Sequence, residues 1–293
     1  MREEHGKRIP TELEIEILQY IADEDEDDRS RWLALVNCAL VCKVWTGHVR
    51  SLLYCTIDMN NLRGTCQFER LRRYTHLRPF LRELTWPRTE FVQSLYCSSV
   101  SDVDIIKNIA PTVTKLRLCS VDYRSLTPHV REAISTFANI KELDMSRSIF
   151  EDWTAVVQVI SSFPFLAVLA MPHVATSRDD SPEISYPPPS RLVHIKLASG
   201  CETETVRWIR KGSAISTIQT VEAESEIGSN VLATLLRSLG GGLRHLVIHI
   251  DSKGAFSHFG LASSNLILIE NHSRRGCLWS ICILLSPHRK HCP

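Results

Sequence analysis

The sequence predicts an α/β protein, in which a short N-terminal helical block precedes stacked helix–strand units with a parallel inner sheet and outer helices. Three observations predict this class. One apolar pattern recurs at intervals of 23 to 32 residues. Most stretches between its copies have apolar residues three and four apart, and the first 55 residues have helical spacing without the recurring pattern.

Each copy has apolar or small residues at a first position, three residues later and five residues later, as in "NIKELDM" (139–145) and "GLRHLVI" (242–248). The last two positions alternate with polar residues, which is typical of a strand with one buried face. The first positions are Leu81, Val113, Ile140, Leu166, Leu192, Ile218, Leu243 and Leu266. Their separations of 32, 27, 26, 26, 26, 25 and 23 residues indicate one repeated structural unit.

The stretches between the strands are expected to be helices. They cover residues 101–110, 126–138, 152–163, 204–212 and 230–242. Ser101, Asp152 and Asn230 are the expected N-caps, and Gly240 is placed to end the last helix. One unit lacks a helical pattern, because residues 172–190 are rich in Pro, Ser and Asp and predict a long surface loop. The alternative, a polyproline ligand at "YPPP", is less favoured because the chain contains no P-x-x-P.

The period and the L-x-x-L-x-L spacing resemble leucine-rich repeats over residues 80–270. The resemblance implies a solenoid. The solenoid is expected to be irregular, because the family often carries Asn or Cys at the ninth repeat position to satisfy turn backbone groups. Those positions here include Val121, Ser148, Val174 and Gly200.

The N-terminal block begins with "RIPTELEIEILQYIA" (8–22), where Thr11 and Glu14 have capping-box spacing. Six acidic residues at 23–28 predict a solvated loop. A second helix is expected over 31–45, with "HVRSLLY" (48–54) continuing or following it. That second helix is apolar nearly all round, so a small block cannot bury it alone, and it must pack on the repeats, on a partner, or on both.

"IPTELEIEILQYI", "CALVCKVW" and "VRSLLY" together resemble an F-box of the fungal type, with an acidic insert after the first helix. Ile9 stands where the family usually has Leu, and the insert lengthens the first connection. The family docks on the Skp-type adaptor of a cullin-RING ubiquitin ligase, and an F-box followed by leucine-rich repeats is a known architecture. The resemblance implies that the adaptor-facing residues are Pro10, Leu13, Ile17, Leu40, Val41 and Trp45.

The expected fold is therefore an F-box helical block followed by an irregular leucine-rich-repeat solenoid. The block covers residues 1–55 with its acidic loop at 23–28, a connector covers 56–79, the repeats cover 80–270, and an atypical tail covers 271–293.

Composition narrows the expected partners. The 34 Lys and Arg residues nearly balance the 33 Asp and Glu residues, which disfavours nucleic acid or an anionic membrane as a partner. The charged start "MREEHGKR" disfavours a secretory signal, and "LWSICILL" (278–285) is too short to span a bilayer. A cytoplasmic or nuclear location is expected.

The ten cysteines contain no C-x-x-C, and Cys38 and Cys42 are expected to pack as small apolar residues. The glycines of "SLGGGLRHL" follow a helix and precede a strand, the reverse of a phosphate cradle. No enzyme activity, cofactor or small-molecule substrate is expected. A zinc cluster in the tail is the less favoured alternative to a non-repeat terminus; its ligands would come from Cys277, Cys282, His288, His291 and Cys292.

On the inner face of the repeats, polar and apolar positions form a mosaic with alternating charge and an apolar centre. Such a mosaic suits a folded protein partner better than nucleic acid, and a merely solvated face is the alternative. The target-binding candidates are Lys115, Arg117, Glu142, Asp144, Val168, His194, Lys196, Glu222, His245 and Val247.

The predicted function is substrate recognition within an SCF-type cullin-RING ubiquitin ligase. The F-box would bind the Skp-type adaptor, and through it a cullin, while the repeats would bind an unidentified protein target. The alternative is a leucine-rich-repeat protein-binding scaffold with no ligase coupling, in which the block only caps the repeats.

Overall fold

The computed structural model describes residues 10–23, 28–58, 79–86, 107–178, 186–200, 202–224, 229–251, 266–272 and 278–285. The predicted acidic loop therefore lies mostly outside the described residues. The predicted N-cap Ser101 and most of the predicted helix 101–110 also lie outside them, although residues 107–109 are helical.

The predicted mixed α/β class is confirmed. The strands are β1 Thr56–Asp58, β2 Glu83–Thr85, β3 Lys115–Arg117, β4 Glu142–Asp144, β5 Ile149–Phe150, β6 Val168–Met171, β7 Ala175–Thr176, β8 His194–Leu197, β9 Thr220–Glu224, β10 His245–Asp251, β11 Leu266–His272 and β12 Leu278–Leu285. Ten of them form one sheet in the order β1-β2-β3-β4-β6-β8-β9-β10-β12-β11, and β5 pairs with β7 separately. Every pairing from β1 to β10 is parallel.

The helices are α1 Thr11–Asp23, α2 Asp28–Ala39, α3 Lys43–Leu53, α4 Pro128–Ser135, α5 Trp153–Ser161, α6 Glu202–Lys211 and α7 Ser229–Leu239. Asp152 caps α5 as predicted, because its carboxylate accepts a hydrogen bond from the Ala155 amide at 2.8 Å. Asn230 as an N-cap is wrong, since α7 already includes Ser229. Gly240 follows α7 with φ +54°, the left-handed conformation that commonly ends a helix.

The core of the sheet lies between the strands and helices α4–α7. In register across the sheet, one row of side chains faces the helices and is buried: Leu84, Leu116, Leu143, Leu169, Ile195, Val221 and Leu246. The first positions of the repeat from Leu81 to Leu243 are buried in the same cluster. Trp153 and Trp208 meet edge to face at 6.3 Å between centroids on the helical side.

The turns that follow the strands share a left-handed residue. Ser120, Arg147 and His173 have φ of 58°, 58° and 56°. Next to them, the buried Ser148 hydroxyl donates to the Leu118 carbonyl and accepts from the Val121 amide at 3.3 Å. A hydroxyl at this ninth repeat position thus satisfies backbone groups without Asn or Cys.

The predicted surface loop 172–190 is confirmed only in part at its described ends, where Ser177, Arg178, Tyr186 and Pro187 are exposed. At its start, β7 pairs in parallel with β5. At its end, Pro188 and Pro189 are buried, and the Trp208 indole N–H donates to the Tyr186 carbonyl at 2.8 Å. The Pro-rich segment ends against the helical side because proline rings are apolar and α6 presents an aromatic residue there.

The C-terminal prediction is also wrong. The strand predicted at Leu266 is present as β11, but it does not pair with β10, because β12 lies between β10 and β11 and pairs antiparallel with both. The proposed boundary at 270/271 falls inside β11. The eight-residue apolar run "LWSICILL" forms strand β12, which is long enough to pair with all of β10 and so occupies the position next to β10 in the sheet. At the other end of the sheet, the predicted connector 56–79 begins with β1, which pairs with β2.

In the helical block, the continuous helix predicted over 31–45 is wrong. Cys42 has extended backbone (φ −158°, ψ 165°), so α2 ends at Ala39 and α3 begins at Lys43. The Cys42 sulfur accepts from the Trp45 amide at 3.5 Å, and the Thr46 hydroxyl donates to the Ala39 carbonyl at 2.7 Å. Two side-chain bonds therefore stabilise a break that no Gly or Pro marks.

The block has a buried cluster of its own, separate from that of the sheet. Leu18, Leu35 and Val49 form it, one from each helix, and Cys38 and Trp45 pack against it. Among the helices in the described ranges, none has both the length and the apolar character that crossing a bilayer requires.

Candidate functional site

The first candidate surface is the block face, the set of exposed apolar side chains on α1–α3 and their turns. Four predicted adaptor-facing residues belong to it: Leu13 (48% exposed) and Ile17 (42%) on α1, and Leu40 (81%) and Val41 (66%) in the turn between α2 and α3. The predicted Pro10 is also exposed, directly before α1. The break in the predicted helix therefore places Leu40 and Val41 in a turn.

The sixth predicted residue, Trp45, behaves differently. It is only partly exposed and packs against the cluster of Leu18, Leu35 and Val49. Its ring therefore stabilises the block.

Sequence reasoning left several members of the block face out of the predicted set. These are Tyr20, Trp32, Leu33 and Val44, all exposed. Tyr20 had a usable signal, because it lies three residues after Ile17 on the α1 stripe that includes Leu13. Trp32 had none, since exposure on α2 depends on how the three helices pack.

The second candidate surface is the open face, the side of the sheet opposite α4–α7. Two register rows cross it. The first row is Glu83, Lys115, Glu142, Val168, His194, Thr220 and His245; the second is Thr85, Arg117, Asp144, Ala170, Lys196, Glu222 and Val247. The ten target-binding candidates all lie in these rows, opposite the buried row, and their role in target binding stays a prediction.

One ion-pair network covers the open face at β2–β4. The Lys115 ammonium lies 3.7 Å from a Glu83 carboxylate oxygen and 3.4 Å from one of Glu142. The Arg117 Nε atom lies 2.7 Å from the other Glu83 oxygen. Such partly exposed pairs contribute about 0.2–1 kcal/mol each, so their main effect is to order side chains on the surface.

A second network surrounds Glu222 on β9. Its carboxylate lies 3.1 Å from His194 Nε2, 3.6 Å from Lys196 Nζ and 3.7 Å from His249 Nε2. The hydrogen bond from His194 is the largest cause that lowers the pKa of Glu222 to about 2, although burial alone would raise that pKa. Glu222 therefore stays ionised down to acidic pH. His249 lies two residues after Val247 on the same face.

Between the networks lies a small pocket of about 310 Å³ at the carboxyl ends of the strands. Its lining includes Asp144, Ser146, Ala170, Pro172, His173 and Lys196. Cys119 also lines it, and burial raises the pKa of the Cys119 thiol to about 12, while the charge of Asp144 adds to the effect. A thiol with that pKa stays protonated at neutral pH.

The described residues offer no group of three or more His, Cys, Asp or Glu side chains placed to hold a metal ion. Of the five residues considered as tail zinc ligands, Cys277, His288, His291 and Cys292 lie outside the described ranges, and only the backbone of Cys282 is described.

Comparison with known proteins does not assign this chain to a family. No protein-family model matches the chain, and no curated protein matches its sequence.

Proposed function

We propose that this protein is the substrate-recognition subunit of an SCF-type cullin-RING ubiquitin ligase. In this proposal the helical block is an F-box that binds the Skp-type adaptor and, through it, a cullin. The repeats form an irregular leucine-rich-repeat solenoid whose open face binds a protein target. The observation that carries the proposal is the exposure of Leu13, Ile17, Leu40 and Val41, at positions that the F-box resemblance assigns to the adaptor.

The energetics of the block face support a docking role. Full burial of a Leu or Val side chain is worth about 1.5–3 kcal/mol. Leu40 and Val41 are largely exposed, so a partner that covered them would gain much of this free energy. They lie in a turn, where helix packing does not require them. Contiguous exposed apolar residues are typical of interaction sites in soluble proteins, and Leu40 and Val41 are adjacent in the chain.

The proposed mechanism is proximity. The block would fix the chain to the ligase while the open face holds the target, which raises the effective concentration of a target lysine near the activated ubiquitin. The two rows of the open face suit this role, because charged side chains surround the half-buried Val168 and Ala170. In this scheme the chain itself performs no chemical step, and it works in the cytoplasm or nucleus.

The test is co-expression with a Skp-type adaptor. The parent chain should co-purify with it, and a Leu40→Ser/Val41→Ser variant should lose at least about tenfold of the retained adaptor, since each truncation removes about 1 kcal/mol or more of apolar contact. Ile149→Ser is the matched control, because Ile149 is an exposed apolar residue on β5, outside the block. Failure of the parent to co-purify, or equal retention by both variants, rejects the ligase assignment.

One observation favours a second candidate, a protein-binding scaffold in which the block only caps the repeats. The chain passes from α3 directly into β1, the end strand of the sheet, so the block adjoins the sheet where a cap would lie. A scaffold would bind its target without the adaptor, and the same co-purification distinguishes the two candidates.

A further inference from the structure

Three neighbouring strands at the centre of the open face carry different chemistry. On β4 the outward residues are acidic, Glu142 and Asp144. On β6 they are Val168 and Ala170. On β8 they are His194 and Lys196, of which Lys196 carries a basic ammonium group. The face therefore runs from acidic through apolar to basic across three adjacent strands.

The surface is lowest at its centre. Ala170 has only a methyl group, while Asp144 and Lys196 in the same register row are longer and line the same pocket. Pro172 continues the apolar floor. The pocket of about 310 Å³ is also lined by Arg147 and Glu224, and it has room for a compact apolar side chain over Ala170, between Asp144 and Lys196.

We propose that this central face binds an α-helix of the target protein, laid across the strands. The helix presents a basic side chain over β4, a compact apolar side chain over β6 and an acidic side chain over β8. The inference rests on the proposed function, in which the open face holds the target, and it specifies the chemistry of the recognised segment.

Spacing selects a helix. Neighbouring strands lie about 4.8 Å apart, so β4 and β8 lie about 9.6 Å apart. Along a helix, residues three or four apart rise about 4.5–6 Å and residues seven apart about 10.5 Å, which matches both spacings. Same-side residues of an extended segment repeat at about 6.6–6.8 Å and match neither. The backbone groups of β4, β6 and β8 are also engaged in the sheet ladder, which leaves side chains to make the contacts.

The flanking ion pairs prepare the face for such a helix. Glu142 is held by Lys115 at 3.4 Å, and Lys196 is held by Glu222 at 3.6 Å. Both Glu142 and Lys196 keep part of their side chains exposed, 47% and 33%. Ordered, accessible charges lose less side-chain entropy on binding than free ones, so they suit recognition of opposite charges on the partner.

The experiment uses the full chain and fluorescent Ala-rich helical peptides of about 18 residues, long enough to form helices in isolation. Each peptide has Val at position i+4 and charged residues at positions i and i+7. In the three peptides, positions i and i+7 are Lys and Glu (the Lys/Glu peptide), Lys and Lys (Lys/Lys), or Glu and Glu (Glu/Glu). By anisotropy, the parent chain should bind the Lys/Glu peptide roughly threefold more tightly than either like-charged peptide, the size expected for one partly exposed ion pair.

Charge reversal should redirect this preference. Glu142→Lys should favour the Glu/Glu peptide, and Lys196→Glu should favour the Lys/Lys peptide. The double variant should recover the Lys/Glu preference, because the helix can lie in the opposite direction. Glu132→Lys on α4 and Lys211→Glu on α6 make the same charge changes off the open face and should leave the preference unchanged.

Absence of peptide binding, equal affinity for the three peptides, or preferences that ignore the variants would overturn the inference. Adaptor co-purification of the same variants is measured in parallel. If the parent does not bind the adaptor but the charge-reversal variants change their peptide preference as expected, only the ligase assignment is rejected. If the parent binds the adaptor but the variants do not change their peptide preference, only the helix-binding face is rejected.

Discussion

In the region of the sheet and its helices, the largest apolar side chains, such as Trp153, Trp208 and Phe137, are buried in the common core. In the helical block, Tyr20 and Leu40 lie at the surface, and the buried cluster is formed by three residues, one from each helix. Both regions are rich in apolar residues. They differ in the number of elements available to cover them, because the many strands and helices of the sheet region enclose a continuous core and three short helices do not.

The difference predicts that buried apolar residues of the sheet region contribute to stability and that exposed apolar residues of the block contribute to binding. Truncating an apolar residue of the sheet should destabilise the fold, whereas truncating an exposed residue of the block should leave the fold intact and remove contacts to a partner. The following predictions test that separation, from the largest expected effect to the smallest.

Trp208→Ala should lower the free energy of unfolding by about 3–5 kcal/mol, the usual cost of deleting a buried aromatic side chain. The residue is fully buried, packs against Trp153 and donates to the Tyr186 carbonyl. Urea denaturation followed by circular dichroism measures the change. A loss below about 1 kcal/mol would contradict the packing described for α6.

Leu18→Ala should destabilise the block by about 2–3 kcal/mol, toward the lower end of the range for buried leucines because the cluster is small. Hydrogen exchange should accelerate across α1–α3 and stay slow in β3–β9, since the two buried clusters are separate. Equal acceleration in both regions would show that they unfold as one unit.

Ser148→Ala should cost about 1–3 kcal/mol, because it leaves the buried Leu118 carbonyl and Val121 amide without their hydroxyl partner. Urea denaturation measures the loss of stability. Ser148→Cys should lose less stability than Ser148→Ala, because a thiol is a weaker hydrogen-bonding group than a hydroxyl but can still pair with both backbone groups. Ser135→Ala on the exposed face of α4 is the control and should change stability by less than about 0.5 kcal/mol.

Glu222→Gln tests the surface of the sheet through pH. The pKa of Glu222 is lowered in the folded state to about 2 from an ordinary 4.5, so its ionised form stabilises the fold above about pH 4.5 and this contribution is lost as pH falls toward 2. The parent should exceed the variant by about 1 kcal/mol or less at pH 6, because the ion pairs are partly exposed. The difference should shrink between pH 4.5 and 2, and a difference that is constant across this window would contradict the assignment.

Leu40→Ser/Val41→Ser should change the unfolding free energy by less than about 0.5 kcal/mol, since both side chains are largely exposed. Thermal melting of the parent and the variant measures the change. A large loss of stability would mean that the turn contributes to the block's own packing, and it would remove the basis for treating this turn as a docking surface.

Much of the sheet could be predicted from the sequence. The apolar pattern located β2, β3, β4, β6, β8, β9 and β10, and the alternation within each strand predicted which residues occupy the open face. Both signals are local, because successive residues of a strand point to opposite sides. The register that aligns Glu142, Val168 and His194 then follows from stacking equivalent units side by side.

The sequence-based predictions that the structure contradicts share one cause, which is that contacts between residues far apart in the chain decide these features. The helix break at Cys42 is stabilised by the Thr46–Ala39 bond and by packing of α3 on α2, and no Gly or Pro marks it. Pro188 was expected at the surface because of its neighbours in sequence, yet it packs so closely on Gly212 that a Cβ there would lie 2.3 Å from the proline ring. The tail was expected to leave the array, but β12 pairs with β10.

The sequence by itself determined the class of the fold, the period of its units and the two sides of each strand, because periodicity is a property of neighbouring residues. Only the tertiary structure decided the order of the last strands, the break between α2 and α3, and which apolar side chains remain in water. Those outcomes depend on whether another element is available to cover a given surface, and coverage is decided by residues far apart in the chain.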